Sequence, residues 1–226
     1  MGRNDLDPSP KRAVTNSLFP FYSKALDRLN WRARWRKTAG ENADGPKFHS
    51  REELYTYLNL NFLRDPIDFF EFGVYKGDSL REWCGLNTHP QTRFFGFDSF
   101  EGLPEDWASE HPKGTFSTSK QLPDIADTRI RFVPGWFQHT LPGFLRSYEP
   151  KNPLVIHNDS DLYSSTLFCL TAMDRLIVPG TIVIFDEFED AMHEYRALTD
   201  YASAYMPKFR IIAATDRFVQ AAIRIT

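Results

Sequence analysis

The sequence has little cysteine and no long apolar run. Cys84 and Cys169 are its two cysteines among 226 residues. Two thiols so far apart in sequence form neither a disulfide framework nor a zinc-ligand cluster, and they suit a reducing cytoplasm. No stretch of about 18 consecutive apolar residues is present, so no membrane span is expected. The first residues lack the apolar core of a secretory leader. Low-complexity tracts and internal repeats are absent too, which excludes solenoid and linker architectures. A G-x-G-x-x-G fingerprint is also missing, which counts against a nicotinamide-dependent dehydrogenase.

What is present is an ordinary globular composition: 42% hydrophobic residues, 15% aromatic, with 20 Phe. A chain of this length is one domain with a substantial core. Charge is unevenly spread. Residues 1–40 carry nine Lys/Arg against three Asp, a net of +6, which leaves −9 on the remainder of a chain whose total is −3. An acidic body argues against nucleic acid as a partner. We therefore divide the chain into a basic arm and linker, residues 1–45, and a body, residues 46–226. The basic segment from Lys11 to Lys37 interleaves Phe19, Phe21, Tyr22, Trp31 and Trp35 with its charges. Such a segment suits a membrane surface, an acidic substrate or a partner subunit, as in a homo-oligomer. A helix or arm packed on the body is the favoured reading.

From Ser50 onward the pattern alternates between helix and strand. Residues 39–49 read as a polar linker. Ser50 and Glu53 have capping-box spacing at the head of a helix reaching Phe62. Strands are expected at Ile67–Phe72, Arg93–Phe97, Arg129–Val133, Leu154–Asn158 and Thr181–Phe185. Helices are expected at Asp78–Leu86, between the strands ending at Asn158 and Phe185, and at Ala191–Tyr205. Residues 101–125 read as one long loop, the length of a binding loop. Two closing runs, Phe209–Ala214 and Phe218–Ile225, are separated by three residues and should pair antiparallel. Together these predict a doubly wound α/β fold with a mostly parallel, seven-stranded sheet and a terminal antiparallel hairpin.

Chemistry concentrates at the predicted carboxyl ends of the strands, where open α/β sheets bind ligands. In FFEFGVYKGDSL, Glu71 closes the first strand and Gly73 and Gly77 let the backbone approach a ligand. The helix beginning near Asp78 offers free N–H groups to a carboxylate. In GFDSFEGLP, Asp98 ends the next strand, where an acid accepts both hydroxyls of a ribose. Two acidic clusters follow: Asp159 and Asp161 in HNDSDLY, and Asp186 and Glu187 in FDEFED. Grouped carboxylates suit Mg²⁺ or Ca²⁺ rather than zinc. His157, inside its strand, reads as a hydrogen-bonded core residue.

The segments EFGVYKGDS, GFDSFEGLPEDW, PGWFQHTLP, HNDSDLYSSTL and PGTIVIFDEF together resemble the macrocin O-methyltransferase family. The likeness covers roughly residues 50–205. It implies a class I, Rossmann-like methyltransferase that uses S-adenosylmethionine to methylate a hydroxyl of a sugar or other natural product. It implies a cofactor site of Glu71, Gly73, Val74, Tyr75, Gly77, Ser79, Asp98 and Ser99, with Gly135, Trp136 and Phe137 near the adenine. It further implies Mg²⁺ on Asp159, Asp186 and Glu187, with Asp159 as base at the edge of the cofactor site and His139 as the second catalytic candidate. The chain departs from the family pattern at three places: Glu187 where an Asp is usual, Asn158 where an apolar residue is usual, and His139 where an acid is usual. The competing readings are a degenerate, non-catalytic relative that binds a ligand or partner, and the dehydrogenase disfavoured above.

Overall fold

The computed structural model describes residues 10–42, 45–107 and 110–226, with side chains from residue 22 onward. Its sheet has eight strands in the order β1-β7-β8-β6-β5-β2-β3-β4. They are β1 (Lys47–Phe48), β2 (Asp68–Phe72), β3 (Arg93–Asp98), β4 (Ile130–Pro134), β5 (Leu154–Asn158), β6 (Ile182–Phe185), β7 (Phe209–Thr215) and β8 (Ala221–Ile225). All pairings are parallel except those of β8 with β6 and β7. The helices are α1 (Pro10–Glu41), α2 (Arg51–Phe62), α3 (Asp78–Leu86), α4 (Phe137–Ser147), α5 (Tyr163–Met173) and α6 (Glu194–Tyr205).

The sheet has one strand more than the seven expected. Lys47 and Phe48 lie within the segment read as linker, yet they pair parallel with Ala214 and Thr215 at the sheet edge. A second difference is α4, which no sequence signal proposed. Pro142 lies inside it, and an interior proline removes one helical hydrogen bond. Burial of Leu141 and Phe144, three residues apart on one face, holds the helix regardless. The basic segment, where described, is helical. Trp31, Trp35 and Ala39 of α1 pack on the core, Trp31 edge-on to Tyr195 and Trp35 edge-on to Phe218. Phe19 and Phe21 lie where side chains are not described. Among the described residues no helix is long and apolar enough to cross a membrane.

Strand alternation sorts the core into two layers. Phe70 and Phe72 of β2 face the layer formed with α4, α5 and α6, while Phe69 faces the layer formed with α2 and α3. Glu71 shares the face of Phe69, as does His157 on β5, so both polar groups point toward α2 and α3. They meet there: His157 Nδ1 lies 3.1 Å from Glu71 Oε1, and its Nε2 lies 2.8 Å from the Tyr55 hydroxyl. His157 is thus a hydrogen-bonded core residue. Ser50 caps α2 as its spacing predicts, accepting from the Glu53 N–H at 3.3 Å.

At the opposite end of β2, Asp68 anchors the sheet. Its carboxylate is fully buried and receives the Arg93 guanidinium through two nitrogens, the Tyr148 hydroxyl at 2.6 Å and the Lys151 N–H at 3.0 Å. Burial pushes the carboxyl pKa up. The hydrogen bonds from Arg93 and Tyr148 outweigh it and hold Asp68 below its ordinary value. A depressed folded-state pKa contributes stability that is present above the unfolded value near 4 and is lost as pH falls through the folded value. Asp68→Asn should therefore lower stability at neutral pH by about 2 kcal/mol, because it leaves Arg93 and Tyr148 short of a partner. Urea titrations across pH 2–7 check this: the variant should lose part of the parent's acid sensitivity, and an unchanged profile would refute the anchor.

Candidate active site

Backbone geometry brings the strand ends together. Gly73 follows β2 at φ +95°, and a Cβ built there would lie 1.7 Å from the Asp159 carbonyl oxygen. The turn after β2 is thus pressed directly onto the main chain leaving β5, and the Asp159 N–H returns a hydrogen bond of 2.9 Å to Phe72 O. Gly77, at φ +76°, starts α3 with Pro123 and Ile125 packed where a side chain would stand.

Asp98 organises the turn. One oxygen accepts the N–H groups of Val74 and Tyr75 at 2.8 and 2.7 Å, and the other accepts the Phe100 N–H at 2.6 Å. Tyr75 holds a left-handed φ of 48° within this clasp, a conformation that costs energy and persists only where surroundings impose it. Of the carboxylate's roughly four lone-pair sites these bonds use three, which leaves one on the oxygen that accepts from Phe100. Glu71 behaves differently. It is buried beneath the turn, accepting from Ser79 Oγ and His157, while its Oε2 has no hydrogen-bond partner among the described residues.

Above these elements opens a cavity of about 240 Å³. Gly73, Tyr75, Asp98, Ser99, Trp136 and Phe137 line one part of it, and Asp159, Asp161 and Glu187 another. Leu103, Pro104, Trp107 and Phe116 close it from the long loop. Of the residues singled out in the sequence, Glu71, Val74, Gly77, Ser79, Gly135, His139 and Asp186 do not line it. Val74 contributes its N–H to Asp98 and packs beside Gly96. Gly135 ties the β4 end to β3 through its N–H and Asp98 O at 2.8 Å. His139 stands exposed on α4.

The acids converge in a set slightly different from the expected one. Carboxylate oxygens of Asp159, Asp161 and Glu187 lie within 4.8 Å of one another. Asp186 instead lies behind them, its Oδ1 3.5 Å from the Tyr55 hydroxyl. Asp161 reaches the group because its backbone adopts φ 59°. The D-x-D spacing in HNDSDLY is the sequence signal for it. Burial, then Asp186 and Glu187, drives the Asp159 carboxyl upward. Burial with Asp186 and Asp98 brings Asp161 to about 7. Burial with Glu194 and Asp186 takes Glu187 to about 10.

Glu194, which no sequence motif singled out, supports this cluster from below. It is fully buried; one oxygen accepts from Asn158 Nδ2 at 2.6 Å and the other from the Glu187 N–H at 2.9 Å. Asn158 also donates to Thr166 Oγ1 at 3.0 Å. The unusual Asn158 is therefore the partner of a buried acid that holds the backbone of Glu187.

A parallel sheet with an antiparallel β8, a glycine turn clasped by the acid of the neighbouring strand, and one cavity over the strand ends define the class I methyltransferase architecture. The chain belongs to the macrocin O-methyltransferase (TylF) family, whose model matches residues 64–208. It is 34% identical, over 58% of each chain, to the 8-demethyl-8-(2,3-dimethoxy-alpha-L-rhamnosyl)-tetracenomycin-C 4'-O-methyltransferase of Streptomyces olivaceus. It is 30% identical, over 61% of each, to the demethyldecarbamoylnovobiocin O-methyltransferase of Streptomyces niveus. The chain thus spans about three-fifths of the length of these curated relatives. The same fold appears in the O-methyltransferase NovP (TM-score 0.59, 19% identity, 88% of this chain and 98% of that one). It also appears in the calicheamicin methyltransferase CalS11 (TM-score 0.58, 20% identity, 97% and 87%).

The tight contact at Gly73 makes a direct prediction. Gly73→Ala forces an L side chain into a left-handed φ and into the Asp159 carbonyl, and should lower stability by at least about 2 kcal/mol. Denaturant midpoints measure this, and an alanine variant as stable as the parent would disprove such close packing of the two strand ends.

Proposed function

We propose that this chain is an S-adenosylmethionine-dependent O-methyltransferase acting on a hydroxyl of a sugar, or of another group on a glycosylated natural product. The observation that carries the reading is the cavity in which Gly73 and Tyr75 of the turn after β2, with Asp98 at the end of β3, face the Asp159–Asp161–Glu187 cluster. The names of the family relatives, which methylate sugar and natural-product hydroxyls, support the acceptor class.

In this reading Asp98 accepts a ribose hydroxyl on the one lone-pair site its backbone bonds leave free, with Ser99 beside it. Trp136 and Phe137 flank the adenine, and the turn at Gly73 and Tyr75 takes the amino-acid end. S-adenosylmethionine held there would supply the methyl group to the acceptor oxygen and leave as S-adenosylhomocysteine, and Asp159 would take the hydroxyl proton. The protein's contribution is alignment of the two reactants in a cavity that excludes water.

The acid cluster fits a divalent cation. Its oxygen donors are hard, like charges so close demand a cation or protons between them, and Glu187 Oε2 is buried with no hydrogen-bond partner among the described residues. Asp159, Asp161 and Glu187 would hold the ion, with Asp186 behind them. A Mg²⁺ ion there supplies a Lewis acid that lowers the pKa of the acceptor hydroxyl.

Two measurements test the reading. Calorimetry should show S-adenosylmethionine and S-adenosylhomocysteine binding and NAD inert, with Asp98→Ala weakening the cofactor by about 2–3 kcal/mol through an unpaired ribose hydroxyl. An alanine variant that binds as tightly as the parent would remove the ribose assignment. Methyl transfer should stop in EDTA and return with Mg²⁺, and Asp159→Asn should abolish turnover while sparing cofactor binding. Full activity in EDTA would eliminate the metal.

A further inference from the structure

The loop between β3 and β4 carries a row of rings in contact with one another across the cavity. Tyr75, in the glycine turn, meets Phe116 at 5.6 Å between ring centroids. Phe116 meets His111 at 5.4 Å, and His111 stacks on Trp107 at 5.1 Å with only 22° between the planes. Trp107 in turn stands edge-on to His193 at 6.4 Å. His193 is the residue preceding α6, and its Nδ1 accepts the Tyr163 N–H at 3.2 Å.

The two ends of this row lie over different halves of the cavity. Tyr75 and Phe116 belong with the β2 end and Asp98. Trp107 belongs with the β5 and β6 ends: besides His193, its neighbour Glu105 accepts from Ser164 Oγ of α5 at 2.5 Å. The loop is therefore tied down on the acidic side. Close contacts hold the loop at several of its described residues. The Trp107 N–H donates to His111 O at 3.0 Å, and a Cβ at Gly102 would lie 2.4 Å from Gly114 O. Trp107 lines the cavity while His111 stacks on its ring. A large, half-buried aromatic surface lining the same cavity as the acid cluster is what the apolar face of a pyranose ring stacks on, leaving its hydroxyls free for polar groups.

We infer that Trp107 is the acceptor-binding platform: its indole stacks on the sugar ring and delivers one ring hydroxyl to Asp159. The inference rests on the carbohydrate reading above and names the residue that selects for it. Its loop position, rather than the cofactor turn, makes it a determinant of acceptor affinity and not of cofactor affinity.

The test uses the full chain saturated with S-adenosylhomocysteine and titrated with methyl α-L-rhamnopyranoside, a sugar with no aromatic group of its own, followed by ligand-observed NMR. The parent should bind it. Trp107→Ala should raise the dissociation constant about tenfold or more, and Trp107→Phe, which keeps a ring, should stay within about threefold. Both variants should bind S-adenosylhomocysteine as the parent does. A Trp107→Ala protein that binds the rhamnoside like the parent overturns the platform and leaves the methyltransferase reading intact. Loss of S-adenosylhomocysteine affinity in both variants marks Trp107 as merely structural and overturns it as well. A parent that binds catechol but not the rhamnoside, or neither, removes the carbohydrate reading and the platform with it.

Discussion

The main-chain contact between Gly73 and Asp159 is the constraint on which this site depends. With a Cβ excluded at 1.7 Å from the Asp159 carbonyl, the β2 turn and the β5 end behave as one rigid body. A glycine turn free to shift would uncouple the loop that Asp98 clasps from the acids that follow β5. Because the two are pressed together, a ligand held by the turn lies at a set distance from Asp159. Positioning of that kind comes from the backbone, which side-chain rotamers cannot blur.

Buried polar groups extend this constraint through both layers of the core. On the α2–α3 side, Ser79, Glu71, His157 and Tyr55 form a chain that ends at Asp186. On the α5–α6 side, Thr166, Asn158 and Glu194 form another that ends at the Glu187 backbone. Buried polar groups are costly unless paired, so each chain fixes its members in a single arrangement. The two chains converge on Asp186 and Glu187, neighbours in sequence just beyond the end of β6. The family departures at Asn158 and Glu187 are linked through Glu194. Substituting Asn158 would leave a Glu194 oxygen short of its partner, whereas the bond from residue 187 comes from its backbone N–H and does not depend on the side chain there.

The long loop and α1 complete the envelope. Contacts with Tyr75, His193 and Ser164 hold the loop over the strand ends. The basic helix docks through Trp31 and Trp35, and Arg196 of α6 lies over the Trp31 ring at 5.4 Å. Tyr22, Leu26 and Leu29 on the same helix are exposed, and among its described side chains Trp31, Trp35 and Ala39 are the ones packed on the core.

Much of this was legible in the residues themselves. Hydrophobic runs and glycine or proline boundaries located β2, α3, β5 and β7 to within a residue or two, and β8 with a start three residues too early, because their burial pattern is written into local periodicity. Acids at the strand ends marked the site for the same reason: a polar cluster after an apolar run has few structural uses. What tertiary structure alone decided was which of those acids meet. Asp161 joins Asp159 and Glu187 because its backbone turns left-handed, and Asp186 is drawn toward Tyr55 from a helix more than a hundred residues earlier. The edge strand β1 and the proline-containing α4 were invisible for a similar reason. Two residues have no periodicity, and a helix with an interior proline is stable only when a sheet is there to bury its Leu141 and Phe144. Local sequence sets what each segment prefers, whereas contacts across the fold set which preferences prevail.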